Sequence, residues 1–184
     1  MLRSVHAKRG SQPAATALVA CLLVLSAFAA SAESAAASSC SGAGAQASSA
    51  SPGKLRSALL CLVNHKRTAN GLRALKVDRK LQKAATRHAR DMVRNNYFAH
   101  QRPGGPDLTA RLHRAGWHGH SWGETIAYGC GFSGSPRATL RMWMHSPLHK
   151  AIILSGSYGH GGLGVTESAP CGDGSMWVLD VGRK

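Results

Sequence analysis

The sequence predicts an α+β domain layered as an α-β-α sandwich, and three observations predict it. Apolar residues recur at helical spacing in the middle of the chain, short apolar runs bounded by glycine fill its last third, and capping residues followed by proline mark repeated helix starts. The first helix opens at Ser51-Pro52, where the missing proline N–H costs nothing. Leu55, Ala58, Leu59, Leu62 and Val63 then form one buried face, and Asn70-Gly71 closes the helix. A second helix follows the N-cap Asp78, with Leu81, Ala84, Ala85, His88, Met92 and Val93 inward and Lys80, Lys83, Arg87, Arg90 and Arg94 largely outward. A short third helix is expected over Leu108 to Ala115, between Asp107 and Gly116, and a strand over Glu124 to Tyr128 between two glycines. Ser135-Pro136 starts a further helix in which Leu140, Trp143 and Met144 share a face. Ser146-Pro147 breaks it and opens a short turn carrying Leu148, His149 and Ile152 to Leu154. Leu163 to Thr166 and Met176 to Val181 read as two strands joined by a Gly-rich stretch.

Ahead of this domain lies a leader. Basic residues Arg3, Lys8 and Arg9 run into an apolar stretch from Ala14 to Ala30, and Ala30-Ser31-Ala32 supplies a small-residue cleavage site. Residues 1–32 are therefore read as a secretory signal peptide, with no transmembrane segment left after its removal and a secreted, extracellular or envelope location for the product. Cys40 lacks the aliphatic residue three positions earlier that lipidation would require. Residues 33–53 are nearly all Ala, Ser and Gly, lack apolar periodicity, and read as a flexible linker; residues 54–184 form the single domain.

Without the three leader cations the formal charge of +15 falls to +12, so the exported chain is strongly basic and drawn to polyanions. Anionic envelope polymers and lipid headgroups are the expected partners for such a chain. No zinc finger or RNA-binding signature is present, so specific nucleic-acid binding is not expected. Four cysteines follow the leader: Cys40, Cys61, Cys130 and Cys171. Their wide spacing disfavours a zinc ribbon, and an even count in an oxidising compartment points to two disulfides. Of the three pairings, Cys40 with Cys61 and Cys130 with Cys171 is preferred because each joins segments expected in the same half of the domain.

Four segments, in order, resemble the CAP superfamily in its bacterial SCP-like branch: LLCLVNHKRTANGLRALKVDRKL, HARDMVRNNYFAH, GETIAYG and WMHSPLHKAIIL. The resemblance implies an α-β-α sandwich of the CAP/SCP type in which His100, Glu124 and His149 converge on a surface cleft that binds a divalent metal in some members. Members have been connected with lipid or sterol binding, proteolysis and cell-wall association, so the resemblance implies no single reaction. The chain departs from the family pattern at Thr125, where Asn is usual, at Lys150 for Arg and at Ile152 for Asn. The second glutamate of eukaryotic members is not evident after Trp143, where His145 stands either as a further candidate or as a solvent-facing histidine.

Two neutral imidazoles and a carboxylate suit zinc or another divalent cation, with His100 and His149 as ligands and Glu124 as a third. Without metal, one histidine can act as general base with Glu124 orienting it. A buried His-Glu network that only satisfies its own polar groups is the structural alternative. The leading expectation is a binding module for a metal or a small lipid or glycan ligand, and the alternative is a metal-dependent hydrolase of peptide or envelope material. Hydrolase signatures offer little support: HExxH is absent, GFSGS around Ser133 lacks the last glycine of a nucleophile elbow, and no cysteine reads as a free nucleophile. His88 sits at core spacing, His118, His120 and His160 are placed in Gly-rich loops, and Trp117, Trp122, Trp143 and Trp177 are candidates for a ligand groove, with core packing favoured for the last two.

Overall fold

The computed structural model describes residues 40–169 and 171–184. The expected signal peptide and the first part of the expected linker, residues 33–39, lie outside the described residues. Among the described residues there are five α-helices: α1 (Pro52–Ala69), α2 (Arg79–Arg94), α3 (Leu108–Ala115), α4 (Pro136–His145) and α5 (Pro147–Ile153). They surround strands β1 (Lys76–Val77), β2 (Ser121–Gly129), β3 (His160–Val165) and β4 (Ser175–Arg183), which form one sheet in the order β1-β3-β4-β2. β4 is antiparallel to both neighbours, and β1 pairs with β3 in parallel. Among the described residues no helix is long and apolar enough to cross a membrane.

The helix boundaries follow from their caps. Ser51 accepts from the Lys54 N–H, Asp78 from Lys80 and Leu81, and Asp107 from Ala110, so each start satisfies amides that have no partner inside the helix. Gly116, at φ 91°, ends α3 in the left-handed conformation open to glycine. Alternation along β4 divides the interior. Trp177, Leu179 and Val181 pack with α1, α4 and α5, whereas Met176 and Val178 pack with Ala85, Ala89 and Met92 of α2. The sheet thus lies between two helical layers, as the sequence predicts.

Several elements differ from expectation. β2 begins at Ser121 rather than Glu124, because its pairing with β4 continues from Ser121↔Arg183 to Gly129↔Ser175. The turn after Ser146 is a complete short helix, and β1 is too short to leave an apolar pattern. The flexible linker needs correction over its second part. Cys40, Ala43 and Ala47 are buried in the main core, Cys40 is bonded to Cys61, and the Arg137 N–H donates to the Ala43 carbonyl at 2.8 Å. A covalent tie to α1 lowers the entropy lost on ordering this segment, which its small residues alone would not offset. The second disulfide joins Cys130 to Cys171, so the preferred pairing is the one present.

Trp143 and Trp177 are core residues whose indole N–H groups donate to Ile126 O and to Gly134 O and Ser175 Oγ. Trp117 is also buried, against Leu81, Ala84 and Leu112. Large aromatic area satisfies core packing first. His160 stands at the start of β3 rather than in a loop, its ring 5.9 Å from that of Trp117.

Candidate ligand cleft

The cleft is set by how closely α2 approaches the sheet. Gly162 and Gly164 of β3 face α2, and a Cβ at either would collide with the backbone of Leu81–Gln82 or Ala85–Thr86. The helix therefore lies backbone to backbone on β3. In register, Gly162 sits beside Asp180 and Asp180 beside Glu124, so one row across the sheet carries both carboxyl groups toward the α2 side. His88, one turn beyond Ala84 and Ala85, is held above that row with its Nε2 3.8 Å from Glu124 Oε1. Nε2–H donates to the Ala99 carbonyl at 3.1 Å, which fixes the tautomer, since a carbonyl can only accept. After α2 the chain turns through Asn96, at φ 49°, and delivers His100 to the rim.

Glu124 is the hub. Its side chain is 1 % exposed; Oε1 lies 2.7 Å from His100 Nδ1, and Oε2 accepts from Arg111 Nη2 at 2.5 Å. Arg111 also donates from Nη1 to the His100 carbonyl at 2.5 Å, so one guanidinium from α3 braces both the carboxylate and the histidine backbone. Burial alone would raise the Glu124 pKa, but the His100 hydrogen bond and the Arg111 charge outweigh it and hold the carboxyl below its ordinary value. Asp180 is the opposite case. It is wholly buried, and burial, the Glu124 charge and a side-chain hydrogen bond shared with Glu124 push its pKa well above the usual range. One acid of the row is held ionised and its cross-strand neighbour neutral.

The His100 side chain is 55 % exposed. With Nδ1 engaged by Glu124, Nε2 is the nitrogen left for a ligand. His149, half-buried on α5, has its pKa lowered by burial and then by His100, which keeps it neutral near pH 7. Burial likewise lowers the pKa of His88. Of the three candidate residues, His100 and Glu124 are thus in direct contact, and His149 is coupled to His100 through charge without a hydrogen bond between them among the described residues. His145 is exposed and bonds Arg141 O of its own helix, so it does not join them. Thr125 is buried, and its hydroxyl has no hydrogen-bond partner among the described residues, so no hydrogen bond of the usual asparagine has shifted to it there. Arg111 and Asp180 are the participants that sequence reasoning missed, whereas His88 is the hydrogen-bonded interior residue that its core spacing predicts. For Asp180 a signal existed: an acid inside the otherwise apolar run MWVLDV.

As a metal site the trio is loose. Among the described residues, the group of His, Cys, Asp or Glu side chains with ligand atoms within 4.8 Å of one another is Cys40, Cys61 and His65, not His100, Glu124 and His149. Its two sulfurs are spent in a disulfide, so no thiolate is there to bind metal. In the cleft, both Glu124 oxygens are already engaged. Glu124 therefore stands behind His100, fixing its tautomer, rather than free to serve as a ligand.

Similarity to known proteins agrees with this architecture. The chain is 33 % identical over 117 residues to the uncharacterized protein YkwD of Bacillus subtilis, spanning 64 % of this chain and 42 % of that protein. It is 34 % identical over 107 residues to the uncharacterized membrane protein YlbC of the same organism, spanning 58 % and 30 %. It therefore covers less than half the length of these relatives. Among solved structures, an extracellular SCP-domain protein from Bacillus anthracis superposes with a TM-score of 0.62 at 27 % identity, over 73 % of this chain and 44 % of that one. A Borrelia burgdorferi outer surface protein shares the fold with a TM-score of 0.61 at 20 % identity, over 68 % and 90 %. The sequence model of the cysteine-rich secretory protein family, CAP, matches residues 60–181, and the chain belongs to that family.

Proposed function

We propose that this protein acts at or outside the cell envelope as a binding module whose cleft, formed by His100, Glu124 and His149, holds a divalent metal or a small lipid or glycan ligand. The observation that carries the reading is the buried, ionised Glu124 set 2.7 Å behind an exposed imidazole. A carboxylate in that position orients a histidine for an outward ligand, at an electrostatic cost that a purely structural contact would not need. Extracellular relatives and two disulfides support export. An exposed edge-on pair, Phe98 and Tyr128, with ring centroids 4.9 Å apart, stands two residues before His100 and further along the Glu124 face of β2. Such a pair supports an apolar or sugar-ring contact beside the polar end of the cleft.

A cation, zinc for example, would be held by His100 and His149 and would supply a Lewis acid able to activate water. The test is metal content and thermal stability of the protein with and without chelator, beside His149→Ala. Stoichiometric metal and a chelator-sensitive melting temperature in the wild type, both lost in the variant, are expected. At a free metal concentration one hundred times Kd, binding adds about 2.7 kcal/mol. No metal in either protein, with unchanged melting, removes the metal reading. The second reading, a metal-dependent hydrolase of peptide or envelope material, rests on the same His100–Glu124 pair acting as an oriented base. It requires turnover of peptide or cell-wall substrate that His100→Ala abolishes.

A further inference from the structure

Alongside the cleft, between α2 and α3, lies a cavity of about 440 Å³ lined by Arg87, Arg90, Arg94, Arg102, Arg111 and Arg114. Its size is that of a small-ligand site. The arrangement is built from two helical rows. Arg87, Arg90 and Arg94 repeat at the spacing that places them on one face of α2, and Arg111 and Arg114 are one turn apart on α3. Arg102 joins them from the intervening loop.

Charge on this scale is not neutralised from within. Among the described residues, Arg87, Arg90, Arg94, Arg102 and Arg114 make no ion pair. Asp91, the one acid in the lining, is engaged elsewhere: it accepts from Tyr97 Oη at 2.6 Å and from Asn95 Nδ2 at 2.8 Å. Like charges one turn apart on a helix repel one another, so the empty arrangement is destabilising and an anion between the rows relieves it. Arg111, which also lines the cavity, is only 10 % exposed, and its buried Nε has no hydrogen-bond partner among the described residues.

We infer that this cavity is a binding site for a linear anion carrying two or more phosphate groups. Guanidinium forks match phosphate oxygens in pairs, and two facing rows suit successive phosphates better than a single carboxylate. The concave shape favours a soluble phosphate chain over a flat lipid surface. The inference does not depend on what the His100 cleft holds, and its test leaves the cleft residues, Arg111 among them, untouched.

The test is isothermal titration calorimetry of sodium tripolyphosphate into the protein, expressed with its own leader, at fixed ionic strength. Wild type is compared with R90Q/R94Q and with K54Q/K76Q, which removes the same charge from exposed sites outside the cavity. R90Q/R94Q is expected to weaken binding about tenfold or more, as loss of charge-assisted contacts implies, and K54Q/K76Q less than about twofold because exposed charges at a distance are screened. Equal losses in the two variants, or none in R90Q/R94Q, would overturn the site in favour of diffuse attraction. Binding to phosphatidylglycerol vesicles without any heat from tripolyphosphate would overturn the ligand class.

Discussion

Arg67 offers the sharpest test of how the cleft is held. It lies on α1, is 1 % exposed, and has no acid as partner among the described residues. Its guanidinium donates to four carbonyls: Nε to Arg73 at 3.0 Å, Nη1 to Ile153 at 2.6 Å and Ser155 at 3.0 Å, and Nη2 to Tyr158 at 2.8 Å. Three of these acceptors lie at the end of α5 and in the segment after it, so Arg67 anchors the helix that carries His149. Arg67→Met preserves bulk and apolar packing but leaves those carbonyls without a donor. Each charge-assisted bond is worth about 1.5–3 kcal/mol. The four are not additive, and removing the ion also removes its own desolvation cost, so the expected loss is about 3–5 kcal/mol. That is a large part of the about 5–15 kcal/mol that stabilises a typical domain. Arg67→Lys keeps the charge but not the fork, and should lose about half as much. Urea unfolding reads both as a lower midpoint at unchanged m-value, and hydrogen exchange should show the amides of 153–158 opening first in Arg67→Lys. A midpoint shift equivalent to less than about 1 kcal/mol for Arg67→Met would refute this account of the anchor.

The remaining predictions concern the staples and the buried acid. Replacing Cys40 and Cys61 by serine frees a loop of 21 residues and should cost about 3 kcal/mol, whereas the Cys130–Cys171 pair, separated by 41, should cost about 4 kcal/mol; equal and negligible losses in denaturant titrations would contradict the chain-entropy reasoning. For Asp180 the folded state holds a proton that the unfolded chain releases above about pH 4, so wild-type stability falls as pH rises above that value, by up to about 1.4 kcal/mol per pH unit until the folded group itself ionises. Asp180→Asn removes that slope, and its stability relative to wild type should climb between pH 5 and pH 7, a range in which Glu124, with its lowered pKa, is ionised in both states. Parallel stability curves over that interval would show that Asp180 does not carry a buried proton.

The helices were legible because each start is local chemistry: Ser51-Pro52, Asp78, Asp107 and Ser135-Pro136 all stand at helix N-termini. The resemblance named His100, Glu124 and His149, and the first two touch. What stayed hidden depends on partners distant in sequence. Arg67 and Arg111 sit on helices whose polar residues are expected to face water, yet both are held inside by groups contributed from other elements. The Ala/Ser/Gly composition of residues 40–50 misled for a similar reason. It measures how much apolar area a segment offers on its own and is blind to the Cys40–Cys61 bond that holds it down.

The close seat of α2 on Gly162 and Gly164 has a consequence for how this surface can diversify. With no intervening side-chain layer to repack, the spacing between helix and strand is insensitive to what decorates the outer side of the helix. Exchanging outward arginines therefore alters the charge presented to the surroundings while His88 and the carboxylate row beneath keep their places. Recognition on the outside and geometry on the inside can drift separately, whereas a residue larger than glycine on β3 would force them to move together.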